Sequence, residues 1–229
     1  RYLIENFNST ANKTLKVINV TNPAAPVFVR DIIPTEPQWV HAMVVKGNRM
    51  FTSGWGNSTN RGRTEIYDIS NIGGQPPTLL GYIDDQSSIT AGNRMHSAWP
   101  SEDGNYLYSA RELIDGDLRV YDIHDPAVPL LVNTIKASTY GLNAIAPHNP
   151  VVHGNYLYVA WYQAGIQVFE LTNPAAPKRV GQYDTYQAEF VSTDSVAKKA
   201  RSAKPSLADS EPWDIFCGAE NLQNALPSS

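Results

Sequence analysis

A single cysteine, Cys217, stands among 229 residues. That excludes an internal disulfide framework and any zinc site built from several thiolates, so stability has to come from packing. With no conspicuous histidine partner in sequence, the thiol itself is expected to be buried and inert. No run approaches the roughly 20 apolar residues that a membrane span needs, although a hydrophobic content of 42% suffices for a sizeable core. Positive charge is scarce as well. A formal net charge of -4, with 17% charged residues, offers no field to hold a phosphate backbone, which makes nucleic acid a poor partner. The chain lacks Gly-x-Ser-x-Gly, a P-loop, a dinucleotide glycine fingerprint and His-Glu-x-x-His, so no catalytic motif names a reaction. It opens at Arg1 without a charged-then-apolar leader, and any signal peptide is expected to have been removed or to lie upstream. Sequons at Asn8, Asn12, Asn19 and Asn57 fit secretion, but such triplets also arise by chance in turn-rich chains.

What the chain has is repetition. One phrase recurs as LKVINVTNPAAPVFV from Leu15, TEIYDISNIGGQPPTLL from Thr64, LRVYDIHDPAVPLLV from Leu118 and IQVFELTNPAAPKRV from Ile166. In each copy an alternating run of β-branched and aromatic residues enters a turn, Asn-Pro or Asp-Pro in three of them, and a second short apolar run follows. Upstream of the last three copies lies another pair of runs, beginning at His41, His96 and His148 and folded back at Gly47-Asn48, Gly104-Asn105 and Gly154-Asn155. These dipeptides suit the positive-φ positions of tight hairpins. Each unit therefore contains four strands, and no helical period interrupts them. The fold class that follows is all-β: a β-propeller of four-stranded antiparallel blades with four repeat equivalents, a sandwich being the rival.

The units set the expected boundaries of a single propeller domain, 1-229: a partial blade over 1-33, blades at about 34-85, 86-137 and 138-186, a loop over 187-210 and an inner strand over 211-222. The segment YLIENF from Tyr2 matches YLYVAW from Tyr156, so the first blade begins at its second strand. The chain is expected to be a fragment of a larger propeller; in the alternative, the strand around Trp213 completes the first blade and closes a four-bladed ring. The 187-210 segment, rich in Ser, Ala and Lys, is expected to be an exposed, poorly ordered loop with at most a short helical turn near Ser195 to Ala203.

The segments from Gly141 to Tyr186 and from Arg94 to Glu112 resemble successive blades of the LVIVD-repeat propellers, in particular those of the choice-of-anchor B family. The resemblance extends from about Leu15 to Phe216. It implies export to the cell surface or beyond, more than four blades, and hence a truncated chain.

The sharpest candidate site is the set His41, His96 and His148, one per full repeat at the start of the innermost strand, with Asp214 in the equivalent place of the last unit. Propeller symmetry carries such positions to a ring around the axis. Three imidazoles with an open position would suit zinc, copper or iron. In the opposing reading each histidine packs against the next blade and sets register. Ring nitrogens within about 4 Å of one another would favour metal; histidines splayed into separate interfaces would remove it. Trp39, Trp55, Trp99 and Trp161 flank the inner strands, and Trp55, Trp99, Trp161, Tyr162 and Arg111 are the candidate ligand-binding residues for a sugar or peptide. Glu112, Asp115 and Asp117 cluster in one loop, where Asp-Gly-Asp binds calcium or simply makes a turn. His124 and His153 fall in turns and are expected to be solvated. Two functions follow: a cell-surface scaffold presenting its loops to a protein or glycan, with no enzymatic activity, or a metal-dependent enzyme using the histidines.

Overall fold

A computed structural model describes residues 1-8, 13-35, 40-56, 62-84, 94-142 and 144-185. Among the described residues there are fifteen strands and two 3-10 turns of four and three residues. The first sheet holds β1 (Tyr2–Asn8), β2 (Lys13–Asn19) and β3 (Val27–Ile32). The second runs through β4 (Val40–Lys46), β5 (Arg49–Gly54), β6 (Thr64–Asp68) and β7 (Thr78–Ile83). The third comprises β8 (Met95–Pro100), β9 (Tyr106–Arg111), β10 (Asp117–Asp122) and β11 (Leu130–Lys136). The fourth comprises β12 (His148–His153), β13 (Tyr156–Ala160), β14 (Ile166–Glu170) and β15 (Lys178–Tyr183). Every sheet is an antiparallel meander, and the all-β propeller architecture inferred from the repeats is the one observed. The loop expected over 187-210, the helical turn near Ser195 to Ala203 and the strand around Trp213 lie outside the described residues.

The repeated residues explain the meander. In the turns between third and fourth strands, Asn19, Asp68 and Asp122 accept the backbone N–H two residues on, at Thr21, Ser70 and His124. Asn22, Asp125 and Asn173 do the same for Ala24, Ala127 and Ala175. These Asx turns are why Asn and Asp recur before the Pro-Ala pairs. At the hairpins only the glycine is left-handed (Gly47 at φ 57°, Gly104 at 73°, Gly154 at 56°). The asparagine that follows has ordinary φ, and its carbonyl accepts the N–H of Ile69, Ile123 or Leu171 at 2.8, 2.8 and 2.9 Å. That bond ties each first hairpin to the end of the third strand.

Blades pack face to face, so in the second and third sheets, which have a neighbour on each side, both faces of the second and third strands are buried. Met50 and Tyr67 pack toward the first blade with Leu15, Val17 and Val40, while their neighbours Phe51 and Ile66 pack toward the third with Met95, Leu107 and Tyr121. On the other side of β9 and β10, Tyr108, Leu118 and Val120 meet Val152, Leu157, Trp161 and Phe169 of the fourth blade. Each such side chain is worth roughly 1.5–3 kcal/mol on burial. Polar ties span the same seams: Asn6 Nδ2 donates to the Val40 carbonyl at 2.8 Å, Arg49 Nη1 to Gly104 at 3.1 Å and the Tyr108 hydroxyl to Pro174 at 3.1 Å.

Gly81 and Gly181 occupy the same place in their repeats, opposite Ile66 and Val168. A Cβ on Gly81 would lie 1.8 Å from the carbonyl oxygen of Pro126 in the next blade, whereas one on Gly181 would meet only the Val168 side chain at 3.6 Å. Gly81→Ala is therefore expected to cost about 1–3 kcal/mol by forcing two blades apart. Gly181→Ala should stay within about 0.5 kcal/mol of the parent. Urea denaturation of both variants measures this, and equal effects would show that Gly81 does not set the blade spacing.

Candidate functional site

The innermost strands carry their histidines on a backbone irregularity. In β4, Val40 pairs with Gly54 and Ala42 with Ser53, leaving His41 as the extra residue of a bulge. In β8, Met95 pairs with Arg111 and Ser97 with Ala110, leaving His96. In β12 the same shift falls between His148 and Pro150, leaving Asn149, whose φ is 40°. A bulge re-aims the side chain beside it. Here it brings the three imidazoles into one stack, with ring centroids 4.3 Å apart for His41 and His96 and 3.7 Å for His96 and His148.

A second tier surrounds this stack. Trp55, Glu112 and Tyr162 each lie eight residues after the hairpin glycine of their blade, at Gly47, Gly104 and Gly154. The indole of Trp55 lies 4.9 Å from His41 and 6.0 Å from His96. Glu112 Oε2 is 3.8 Å from His96 Nε2, beyond hydrogen-bonding range. The Tyr162 hydroxyl donates to Glu112 Oε1, and its ring lies edge-on to His148 at 5.8 Å. Arg94 knits the tier together: its N–H donates to the Trp55 carbonyl and its carbonyl accepts from Glu112 N–H, both at 3.0 Å, while its guanidinium lies over the Trp55 ring.

Three of the four non-glycine residues with positive φ among the described residues belong to this locality: Arg94 at 53°, Asn149 at 40° and Tyr162 at 40°; Asp115, at 58°, is in the loop just after Glu112. Such conformations cost on the order of 1–3 kcal/mol each and persist where the surroundings impose them. A purely packing role for the histidines does not require that concentration of strain.

Burial lowers the basicity of the whole stack. His41 is pushed down by desolvation; His96 falls to about 2 through desolvation and the neighbouring His148 and His41; His148 falls to about 4 through desolvation and His41. At neutral pH all three rings are uncharged, the form in which imidazole binds metal. His96 Nδ1 is held at 3.0 Å from Ser97 Oγ, which orients the ring.

The metal-ligand set differs from the three histidines expected. His96, His148 and Glu112 each offer a ligand atom, and these lie within 4.8 Å of one another; His41 is not part of that set. Bond lengths of ~2.0–2.1 Å imply ligand separations of about 3.3 Å, so the set is looser than the ~4 Å expected of a formed site, and its longest separation has to shorten by up to about 1.5 Å on a metal. Asp214 lies outside the described residues, as does Trp39. Glu112 was legible only as part of a calcium-like loop. Aligning the repeats on their hairpin glycines would have placed it in the same slot as Trp55 and Tyr162.

Of the aromatic and cationic candidates, Trp55 and Tyr162 reach the histidines and three others do not. Trp161 is fully buried and packs in the core between the third and fourth blades. Trp99 packs against that same core. Arg111 is buried in a bidentate pair with Asp117, Nε to Oδ1 at 2.5 Å and Nη2 to Oδ2 at 2.9 Å. Asp117 also meets Arg119 at 3.1 Å, so its carboxylate is held by two guanidiniums. His124 and His153 are exposed, the former 2.7 Å from Asp122. A cleft of about 510 Å³ lined by Tyr2, Met43, Val45 and Gly47 opens at the other end of β4, away from His41.

Residues 103-136 and 149-185 match the LVIVD repeat. No curated protein matches the chain in sequence. Among solved structures, it is similar to a protein from Lactobacillus plantarum (16% identity, 75% of this chain and 51% of the other, TM-score 0.56). It is also similar to the periplasmic gluconolactonase of Pseudomonas aeruginosa (14% identity, 82% and 55%, TM-score 0.57). A third is a protein from Bacteroides uniformis described as a candidate 6-phosphogluconolactonase (14% identity, 79% and 54%, TM-score 0.55). At these identities the likeness is one of fold, and the chain spans about half the length of each.

The lowered basicity of the stack predicts that the metal-free protein loses stability in acid. A histidine whose folded pKa lies below the unfolded value of about 6.5 takes up a proton on unfolding, so stability is full above that value and is lost as pH falls through the window below it. For His148, with a folded value of about 4, the loss at pH 5 is about 2 kcal/mol. Urea titrations at pH 7.5 and pH 5 should show the drop in the parent and a smaller one in His148→Asn; identical drops would place the acid sensitivity elsewhere.

Proposed function

We propose that this chain carries a divalent transition metal, zinc or iron in preference to copper, held by His96, His148 and Glu112, and that it acts as a metal-dependent hydrolytic enzyme. The observation that carries the reading is the approach of those three ligand atoms to within 4.8 Å of one another. Two neutral imidazoles and a carboxylate form a donor set typical of catalytic zinc and of non-haem iron, one that leaves coordination positions open. A metal so placed supplies Lewis-acid polarisation of a carbonyl and a more acidic bound water.

The chain's own residues do the rest. Ser97 orients His96, Tyr162 holds Glu112, and the Trp55 ring with the Arg94 guanidinium above it walls the side nearest His41. Two proteins of similar fold are described as lactonases, which makes cyclic esters a reasonable first substrate class to assay. The setting outside the cytoplasm implied by the choice-of-anchor B resemblance belongs to this proposal; among the described residues no helix is long and apolar enough to cross a membrane.

Metal analysis on the chain purified without an affinity tag tests the reading. The parent should hold close to one equivalent of zinc or iron, His96→Ala and Glu112→Ala should fall to background, and His41→Ala should keep its metal. Background metal in the parent after exposure to Zn²⁺ and Fe²⁺ would remove the enzyme reading and return the chain to a surface scaffold for a protein or glycan.

A further inference from the structure

The slot eight residues after each hairpin glycine points at the histidine stack in all three full blades, yet its occupants differ: Trp55, Glu112 and Tyr162. Had the slot served blade packing alone, one residue type would suit every copy, as it does at the hairpin glycines. Tyr162 is the occupant whose placement is hardest to explain by packing. Its φ of 40° is unfavourable for a side chain of that size. The conformation is imposed by a tight connector in which Trp161 N–H donates to the Gly165 carbonyl at 2.7 Å and Gly165 N–H to the Tyr162 carbonyl at 3.0 Å. Gly165 cannot yield, because a Cβ there would lie 2.2 Å from the Tyr183 carbonyl. The result of that strain is a phenol carried from the fourth blade to a carboxylate of the third.

We infer that Tyr162 is a positioning residue for the metal: its hydroxyl, by donating to Glu112 Oε1, fixes the carboxylate so that Oε2 faces His96 and His148. The inference rests on the proposed metal set. Two geometric facts support it. Glu112 Oε2, the oxygen that Tyr162 does not engage, is the one 3.8 Å from His96 Nε2. The same tyrosine ring lies edge-on to His148, so one side chain touches two of the three ligands. Hydrogen-bonded partners of metal ligands of this kind typically change affinity about 10–100-fold when removed.

The decisive measurement is a double-mutant cycle on the full chain with Co²⁺ as the probe, read by calorimetry and by the visible absorption of the bound ion. Tyr162→Phe should weaken Co²⁺ binding at least about tenfold, change the cobalt spectrum and leave the melting temperature of the metal-free protein unchanged. In a Glu112→Ala background the same substitution should have no further effect, because the hydroxyl acts through that carboxylate. Parental affinity and spectrum in Tyr162→Phe would overturn the inference while leaving the metal reading intact. So would an equal loss in both backgrounds, or a loss that tracks a lowered melting temperature, since either outcome indicates a structural role. A parent chain that takes up no Co²⁺ would overturn both, and is seen before any variant is made.

Discussion

One extra residue near the start of each innermost strand is the constraint on which the axis depends. A regular β-ladder alternates its side chains between the two faces of a sheet, and in a propeller both faces are committed to neighbouring blades. The bulges at His41 and His96, and the one beside His148, interrupt that alternation where the strands enter the sheet. The interrupted position is released from both packing faces and turned inward. At His41 and His96 the histidine is itself the extra residue, while in β12 the bulge falls one residue later, at Asn149; the three rings come together with centroids 3.7 and 4.3 Å apart.

The electrostatic consequence is that protonation of the stack is disfavoured. A cation on His96 would be desolvated and would face two adjoining imidazoles, which is why its basicity falls furthest. A metal answers the same constraint differently from a proton, because its charge is shared with a carboxylate and its ligands must already be neutral or anionic. Glu112, half-buried and held by Tyr162, supplies that negative charge from the loop after β9. Strain at Arg94, Asn149 and Tyr162 surrounds the arrangement.

The fold was legible because its signals are local and copied. The Asx turns at Asn22, Asp125 and Asn173 and the hairpin glycines at 47, 104 and 154 act within a few residues of themselves, so a repeat in sequence becomes a repeat in structure. Convergence of the histidines was legible from symmetry alone. Which other residues join them was not, since the bulges that turn the histidines and the left-handed backbone of Tyr162 have no sequence signature. Arg111 and Trp161 show how narrow the margin is. They occupy the last position of the second strand and the one just beyond it, one residue short of the axial slot, and one residue along a strand is the difference between core and axis.

The slot held by Trp55, Glu112 and Tyr162 separates what a blade must keep from what it is at liberty to change. Hairpin glycine, turn asparagine and axial histidine belong to the copied scaffold, and the slot eight residues on is free of their duties. A duplicated blade therefore inherits a position already aimed at the axis, and a single codon change there converts an aromatic wall into a ligand or a ligand into a hydrogen-bond donor. In a protein built by duplication, new chemistry at the axis can arise by editing one letter per blade while the architecture is copied whole.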